Sequence, residues 1–411
     1  MAELKKASLA DICALVTDGT HDTPSKVEQG FPLVKAKEIV GGVIDFDTCD
    51  RISQEEHEKV IARSNPERGD TLFAHIGASL GEAAFINTDR PFSIKNVALF
   101  KPNPNRILGR YLYYLVISPA FQDLAKKSKT GSAQPFLSLG HLRGHRLQYH
   151  EDIEVQRRIA SILSAYDELI ENNNKRIKIL EEMARMLYRE WFVHFRFPGH
   201  EKVKMVDSAL GKIPEGWEVV TLGDIVTEVR DSVKPGQLDP DTPYFGLEHL
   251  PRRSITLGTW GRLGDVQSTK LKARPDDILF GKIRPYFHKV GVCPIDCVCS
   301  SDTIIYRVKE ERFFGLALSV TSSDDFVHNA TATSQGTKMP RANPKVMKGY
   351  PVLLAAESVL TLFNSFVHNM VAELQVLSFK NRNLAQTRDL LLPKLISGEI
   401  DVDGLDIEGE V

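Results

Sequence analysis
What this 411-residue chain lacks narrows its chemistry before anything else does. No run is long and apolar enough to predict a membrane span, and the opening "MAELKKASLADI" holds no apolar leader core. The five cysteines (Cys13, Cys49, Cys293, Cys297, Cys299) are odd in number and keep no disulfide spacing, which predicts reduced thiols and a cytoplasmic protein. A formal net charge of −2 gives no global basic field, so a surface for nucleic acid has to be a local patch. There is no G-x-x-x-x-G-K-[ST] phosphate loop; "GKI" occurs twice without the upstream glycine or the hydroxyl residue. The G-x-G-x-x-G of dinucleotide and methyl-donor folds is missing, as are G-x-S-x-G, H-E-x-x-H and H-x-E…P-C-x-x-C. "CPIDCVC" (293–299) sets two cysteines one residue apart with no Cys/His pair nearby, which reads as a core strand rather than zinc. The expectation is a chain without catalytic or metal-binding residues.

What is present is the same text written twice. "SLADI" (8–12) recurs as "TLGDI" (221–225), and "GDTLFAHI" (69–76) recurs as "DDILFGKI" (276–283). The run Pro32 to Ile39 can be laid on Pro243 to Leu250. Short apolar or alternating runs such as "GEAAFI", "NVALF" and "DTIIYRV", bounded by turn residues, predict two strand-rich units with short helices at "RYLYYLVIS" and "FQDLAKKS". The fold class is α/β or α+β.

Each copy leads into a long helix. Ile159, Leu163, Tyr166, Ile170, Asn173, Ile177, Leu180, Ala184, Leu187 and Trp191 keep a 4,3,4,3 spacing, a coiled-coil-like seam. The second seam is Phe363, Val367, Met370, Leu374, Leu377, Asn381, Leu384, Arg388, Leu391 and Leu395, with Pro393 expected to kink or end the helix. An antiparallel pairing brings Asn173 to Asn381 and sets Arg388 against Tyr166, where its guanidinium could stack. A parallel pairing strands an asparagine, which costs about 1–3 kcal/mol. Some thirty seam residues at 1.5 Å rise would make a rod of roughly 45 Å, longer than one turn of B-DNA, about 34 Å.

Five motifs, in order, resemble the specificity subunit of type I restriction–modification enzymes. They are "DGTHDTP" (18–24), "GSAQPFLSLGHL" (131–142), "QRRIASILSAYDELIENNNKRIKILEEMARMLYREWF" (156–192), "IPEGWEVVTLGDI" (213–225) and "LAQTRDLLLPKLISGEI" (384–400). The resemblance implies two target-recognition domains (1–150 and 201–352) alternating with a central long helix (151–200) and a distal long helix (353–400), then an acidic tail (401–411). It implies a non-catalytic subunit that reads a bipartite, asymmetric double-stranded DNA site. Two modification subunits would methylate adenine from S-adenosylmethionine, and restriction subunits would supply ATP- and Mg-dependent translocation and cleavage. This chain itself would bind no cofactor and no membrane.

Base reading calls for Arg or Lys at guanine and Asn or Gln at adenine, with basic and hydroxyl residues on phosphates. The candidates are Thr20, His21, Lys35, Lys37, His75 and Gln134 in the first unit. Those of the second are His249, Arg252, Arg253, Lys282, Arg284, Gln335, Lys338 and Arg341, with His75/Lys282 and Gln134/Gln335 at matching places in the repeat. Trp191, Phe192, Leu392, Leu395 and Ile396 are candidates for docking a partner subunit. Two other readings stand beside this one. One is a two-module scaffold binding protein or RNA. The other is an enzyme built on Asp18, His21 and Asp22, which the repeat disfavours because "VRDSVK" keeps only the aspartate. Asp–Gly and Thr–Pro in "VTDGTHDTPSK" are turn chemistry.

Overall fold
A computed structural model describes residues 4–129, 135–234, 236–265, 267–336 and 338–405. The chain divides into two compact units, Met1–Glu168 with Leu384–Val411, and Leu169–Asn383. These boundaries cut through both long helices, so the helices do not form separate domains. The physical reason is burial. Ile159, Leu163, Leu392, Leu395 and Ile396 belong to the core of the first unit, and Trp191, Phe192, Phe363 and Val367 to that of the second.

The repeated text marks one scaffold used twice. In the first unit a four-stranded antiparallel sheet runs in the order Cys13–Asp18, Ala98–Pro102, Thr71–Phe73, Ala83–Phe85. In the second the order is Val226–Val229, Thr303–Val308, Ile278–Gly281, Val290–Val292. Leu72 stands opposite Leu99 and Ala84, as Leu279 stands opposite Ile305 and Gly291. Both units add a second sheet containing one parallel pair: Phe31–Val34 with Ser93–Ile94, and Pro243–Phe245 with Cys297–Cys299.

The repeated polar letters have structural work. Ser8 and Thr221 each donate a backbone N–H and a hydroxyl to the aspartate three residues on, Asp11 or Asp224, at 2.6–2.9 Å. These bonds start the short helices Leu9–Ile12 and Leu222–Ile225 and hold both carboxyls below the usual carboxylate range. Asp70 and Asp277 each accept from a turn N–H, of Glu67 or Arg274, at 2.9 Å. Each is also paired on the neighbouring strand, with Lys101 at 2.7 Å and with Arg307 at 2.7 and 2.8 Å.

The first long helix is Ile153–Tyr188, continued by a wider five-residue turn, Arg189–Val193, in which His194 N–H reaches back to Arg189 O. Widening there lets the adjacent rings of Trp191 and Phe192 both enter the core. The second is Glu357–Ile396. It continues three residues beyond Pro393, because a proline in the last turn removes little of the backbone bonding. Within the second unit, Asn173 Nδ2 donates to Asn381 Oδ1 at 2.8 Å, and Arg176 pairs with Glu373 at 2.7 Å. Within the first, Arg388 does not stack on Tyr166. Its guanidinium goes to the Asp167 carboxylate at 2.5 Å, which also accepts from the Tyr114 hydroxyl at 2.6 Å, since an ion pair outweighs ring stacking for a half-buried arginine. Among the described residues no helix is long and apolar enough to cross a membrane.

Candidate nucleic-acid interface
In both units the central strand of the four-stranded sheet runs into a loop that pairs with a returning segment. In the first unit, Leu137 N–H donates to His75 O (2.9 Å) and Gly77 N–H to Pro135 O (2.8 Å). In the second, Ala342 N–H donates to Lys282 O (2.9 Å) and Arg284 N–H to Pro340 O (2.7 Å). His75 therefore matches Lys282, and Phe136 matches Arg341, the two bridges being Ile76–Phe136 and Ile283–Arg341. The register matches Pro135 with Pro340, so Gln335 lies too far upstream to be the partner of Gln134 in the repeat. It exchanges backbone bonds with Arg341 instead. Gln134 itself lies outside the described residues.

The first unit's two candidate lysines are both ion-paired. Lys35 is paired with Asp50, which also takes Lys26 at 2.9 Å, and the two ammoniums hold that carboxyl down to about 2. Lys37 reaches Glu38 at 3.1 Å. His21 is exposed, with Nδ1 2.8 Å from Asn96 Oδ1 and Nε2 3.0 Å from the buried Asp18, which also holds Arg63. Thr20 is half-buried: its N–H donates to Ile94 O at 3.1 Å and its hydroxyl accepts from Asp22 N–H at 3.1 Å. Asp18 is thus held between Arg63 and His21. The "DGTH" glycine is needed for close approach: a Cβ on Gly19 would lie 2.0 Å from Ile94 O.

His75 is not a surface reader. It is 1% exposed, with Nδ1 2.8 Å from Leu137 O, and burial pushes its imidazole below the usual histidine range. The expectation failed because the repeat fixes the backbone position and not the side chain's burial. The residue exposed at this bridge is Phe136, 55% accessible and 5.9 Å from the His75 ring. An exposed aromatic in "AQPFL" was the signal available in the sequence.

The second unit gathers its basic candidates on adjoining loops. Lys282 and Arg284 flank the bridge on one side, with Gln335, Lys338 and Arg341 on the other, the last three exposed. Lys282, Arg284 and Lys338 have no carboxylate within ion-pair distance among the described residues, and Arg341 has only Asp302, at 3.7 Å. Arg252 lies 4.0 Å over the Phe287 ring, with the Arg284 guanidinium 5.8 Å from the same ring. Two candidates are committed elsewhere. Arg253 pairs with Asp324 at 2.8 Å, and His249 Nδ1 accepts from Gly246 N–H at 2.9 Å. A cavity of about 580 Å³ in this unit has Arg185, Tyr188, Arg253, His288 and Asp324 in its lining.

The docking candidates are core residues: Trp191, Phe192, Leu392, Leu395 and Ile396 are all buried. Trp191 and Phe192 pack on Phe363 at 5.8 and 4.8 Å, leaving no face for a partner. The exposed apolar residues of the long helices in the second unit are different ones, Leu169, Ile179, Met183 and Met186 on the first and Leu362, Phe366 and Val376 on the second. Cys293, Cys297 and Cys299 are buried, the first two sulfurs 3.2 Å apart. Among the described residues no group of three or more His, Cys, Asp or Glu is placed to hold a metal ion.

Fold and loops together define a protein of two like modules, one of which presents a cluster of largely unpaired cations beside a sheet. Residues 1–182 match the family of the type I restriction modification DNA specificity domain. It is 25% identical to the type I restriction enzyme MjaIX specificity subunit of Methanocaldococcus jannaschii, over 73% of this chain and 71% of that one. It is 21% identical to the HindI specificity subunit of Haemophilus influenzae, over 82% and 88%. A crystal structure of the type I restriction–modification S subunit from M. genitalium shares the fold, with a TM-score of 0.57 at 14% identity, covering 96% of both chains.

Proposed function
We propose that this chain reads a bipartite, asymmetric double-stranded DNA site, one half with each unit, and directs partner subunits to it without catalysing a reaction itself. The observation that carries this is the loop cluster of Lys282, Arg284, Lys338 and Arg341, which is left almost free of carboxylates in a chain of net charge −2. Unpaired cations beside a sheet suit the phosphates and guanine edges of a duplex. Gln335, beside Arg341, suits adenine. The first unit reads with fewer free charges, through Thr20, His21 and the exposed Phe136.

Two modification subunits would dock on the long helices, where Ile179, Met183 and Met186 form an exposed stripe at helical spacing. S-adenosylmethionine would be bound by those subunits, and ATP and Mg by the restriction subunits. Methylome sequencing of the host with and without this gene tests the reading. Loss of one two-part adenine-methylation motif is expected, and an unchanged methylome overturns it.

A further inference from the structure
The loop after the central strand makes the same tight turn in both units. Leu80 N–H donates to Gly77 O at 3.0 Å, and Phe287 N–H donates to Arg284 O at 2.8 Å. The turn is closed at each end by a left-handed residue. In the first unit these are Gly77 (φ 80) and Gly81 (φ 99), for which the conformation is easy. In the second unit the same two places hold Arg284 (φ 49) and His288 (φ 51), which the conformation strains. The first unit's turn reads "GASLG" where the second reads "RPYFH". Glycine is therefore adequate for this turn, and the second unit has side chains there at a conformational cost.

Each of those side chains fixes the turn. His288 is buried and its Nε2 lies 2.8 Å from Ser322 O, while its carbonyl accepts from Arg253 N–H at 2.8 Å. Arg252 and Arg284 bracket Phe287. At the tip, where the first unit has the half-buried Ser79, stands Tyr286. It is 52% exposed, its ring rests only edge-on to Phe287 at 4.9 Å, and its hydroxyl bonds to nothing among the described residues. An aromatic ring is thus held out of the core by a strained, anchored turn, on the loop that carries Lys282 and Arg284 and pairs with the segment of Lys338 and Arg341, and it is placed for a polyanion with flat faces.

We propose that Tyr286 is a base-contacting residue of the second unit, its ring packing against a base of that unit's half-site while the surrounding cations hold the phosphates. His288 is the positioning residue that fixes the turn. This rests on the DNA-reading function above, and the experiment separates the two. The full chain is co-expressed with its modification subunits and titrated with a duplex carrying the methylated motif and with a scrambled duplex. Tyr286→Ser, the residue of the first unit, should lower affinity for the cognate duplex about tenfold and leave the scrambled duplex unaffected. Tyr286→Phe should restore wild-type affinity, since the ring and not the hydroxyl makes the contact. A thymine of the second half-site replaced by 5-iodouracil should photocrosslink to Tyr286. The proposal is overturned if Tyr286→Ser binds the cognate duplex like wild type, weakens both duplexes equally, or disturbs only assembly with the modification subunits. A wild-type complex that prefers no sequence overturns the DNA-reading function itself.

Discussion
At the scale of single residues, position in the repeat placed His75 with Lys282 but not Gln134 with Gln335, and burial decided what each side chain can do there. His75 and Lys282 occupy one backbone position, yet the imidazole is buried among core residues and the ammonium is half-exposed. Trp191 makes the same point for the docking candidates. At 6% exposure and packed on Phe363 and Phe366, it acts as a core residue of the second unit. Trp191→Ala should therefore destabilise that unit by about 3–5 kcal/mol, measured by chemical denaturation. Replacing the exposed Met183 by Ser should leave stability nearly unchanged and weaken co-purification of the modification subunit. The opposite pattern would return the docking role to Trp191.

At the scale of elements, the meeting of Asn173 and Asn381 could be read from the sequence because the seam's polar letters are few and must be satisfied. The hydrogen bond between Asn173 and Asn381 is what the antiparallel arrangement requires, and it lies wholly within the second unit. Asn381→Ala leaves Asn173, which is buried, without its acceptor and should cost about 1–3 kcal/mol. Replacing both asparagines with leucine should restore stability to wild type or above, because the seam around them is apolar; thermal melts of the three variants test this. The equivalence of two strands was legible through "TLF" and "ILF", which sit at the same place in both sheets. Three things were not legible. The wide turn at Arg189–Val193 depends on two adjacent rings both reaching the core, which heptad spacing does not encode. The ion pair of Arg388 depends on Asp167, a residue beside the seam rather than in it. The strain at Arg284 and His288 depends on a backbone shape that the sequence shows only in the other copy, as glycines.

At the scale of the whole chain, buried histidines act on stability and accessible cations on reading. His57, His75 and His288 are all pushed below the ordinary histidine value of 6.5, first by burial in each case. The groups facing them are Glu58 for His57, Asp18 and His21 for His75, and Arg253, Asp324 and Arg185 for His288. A folded state that binds these protons less readily than the unfolded chain gains stability that is present above 6.5 and is lost as pH falls through the lowered values. The thermal midpoint should thus hold between pH 8 and about 6.5 and drop on further acidification; a midpoint that rises over that lower range contradicts the assignment. Reading is divided otherwise. If each unit reads its own half-site, Lys282→Ala and Arg341→Ala should weaken or relax methylation at one half of the motif and leave the other half's sequence unchanged in the methylome. Where they touch phosphates, each should also lower the slope of log affinity against log salt by about one. A change spread over both halves would mean that these cations act through the fold rather than at the bases, since Lys282 and Arg341 belong to the second unit alone.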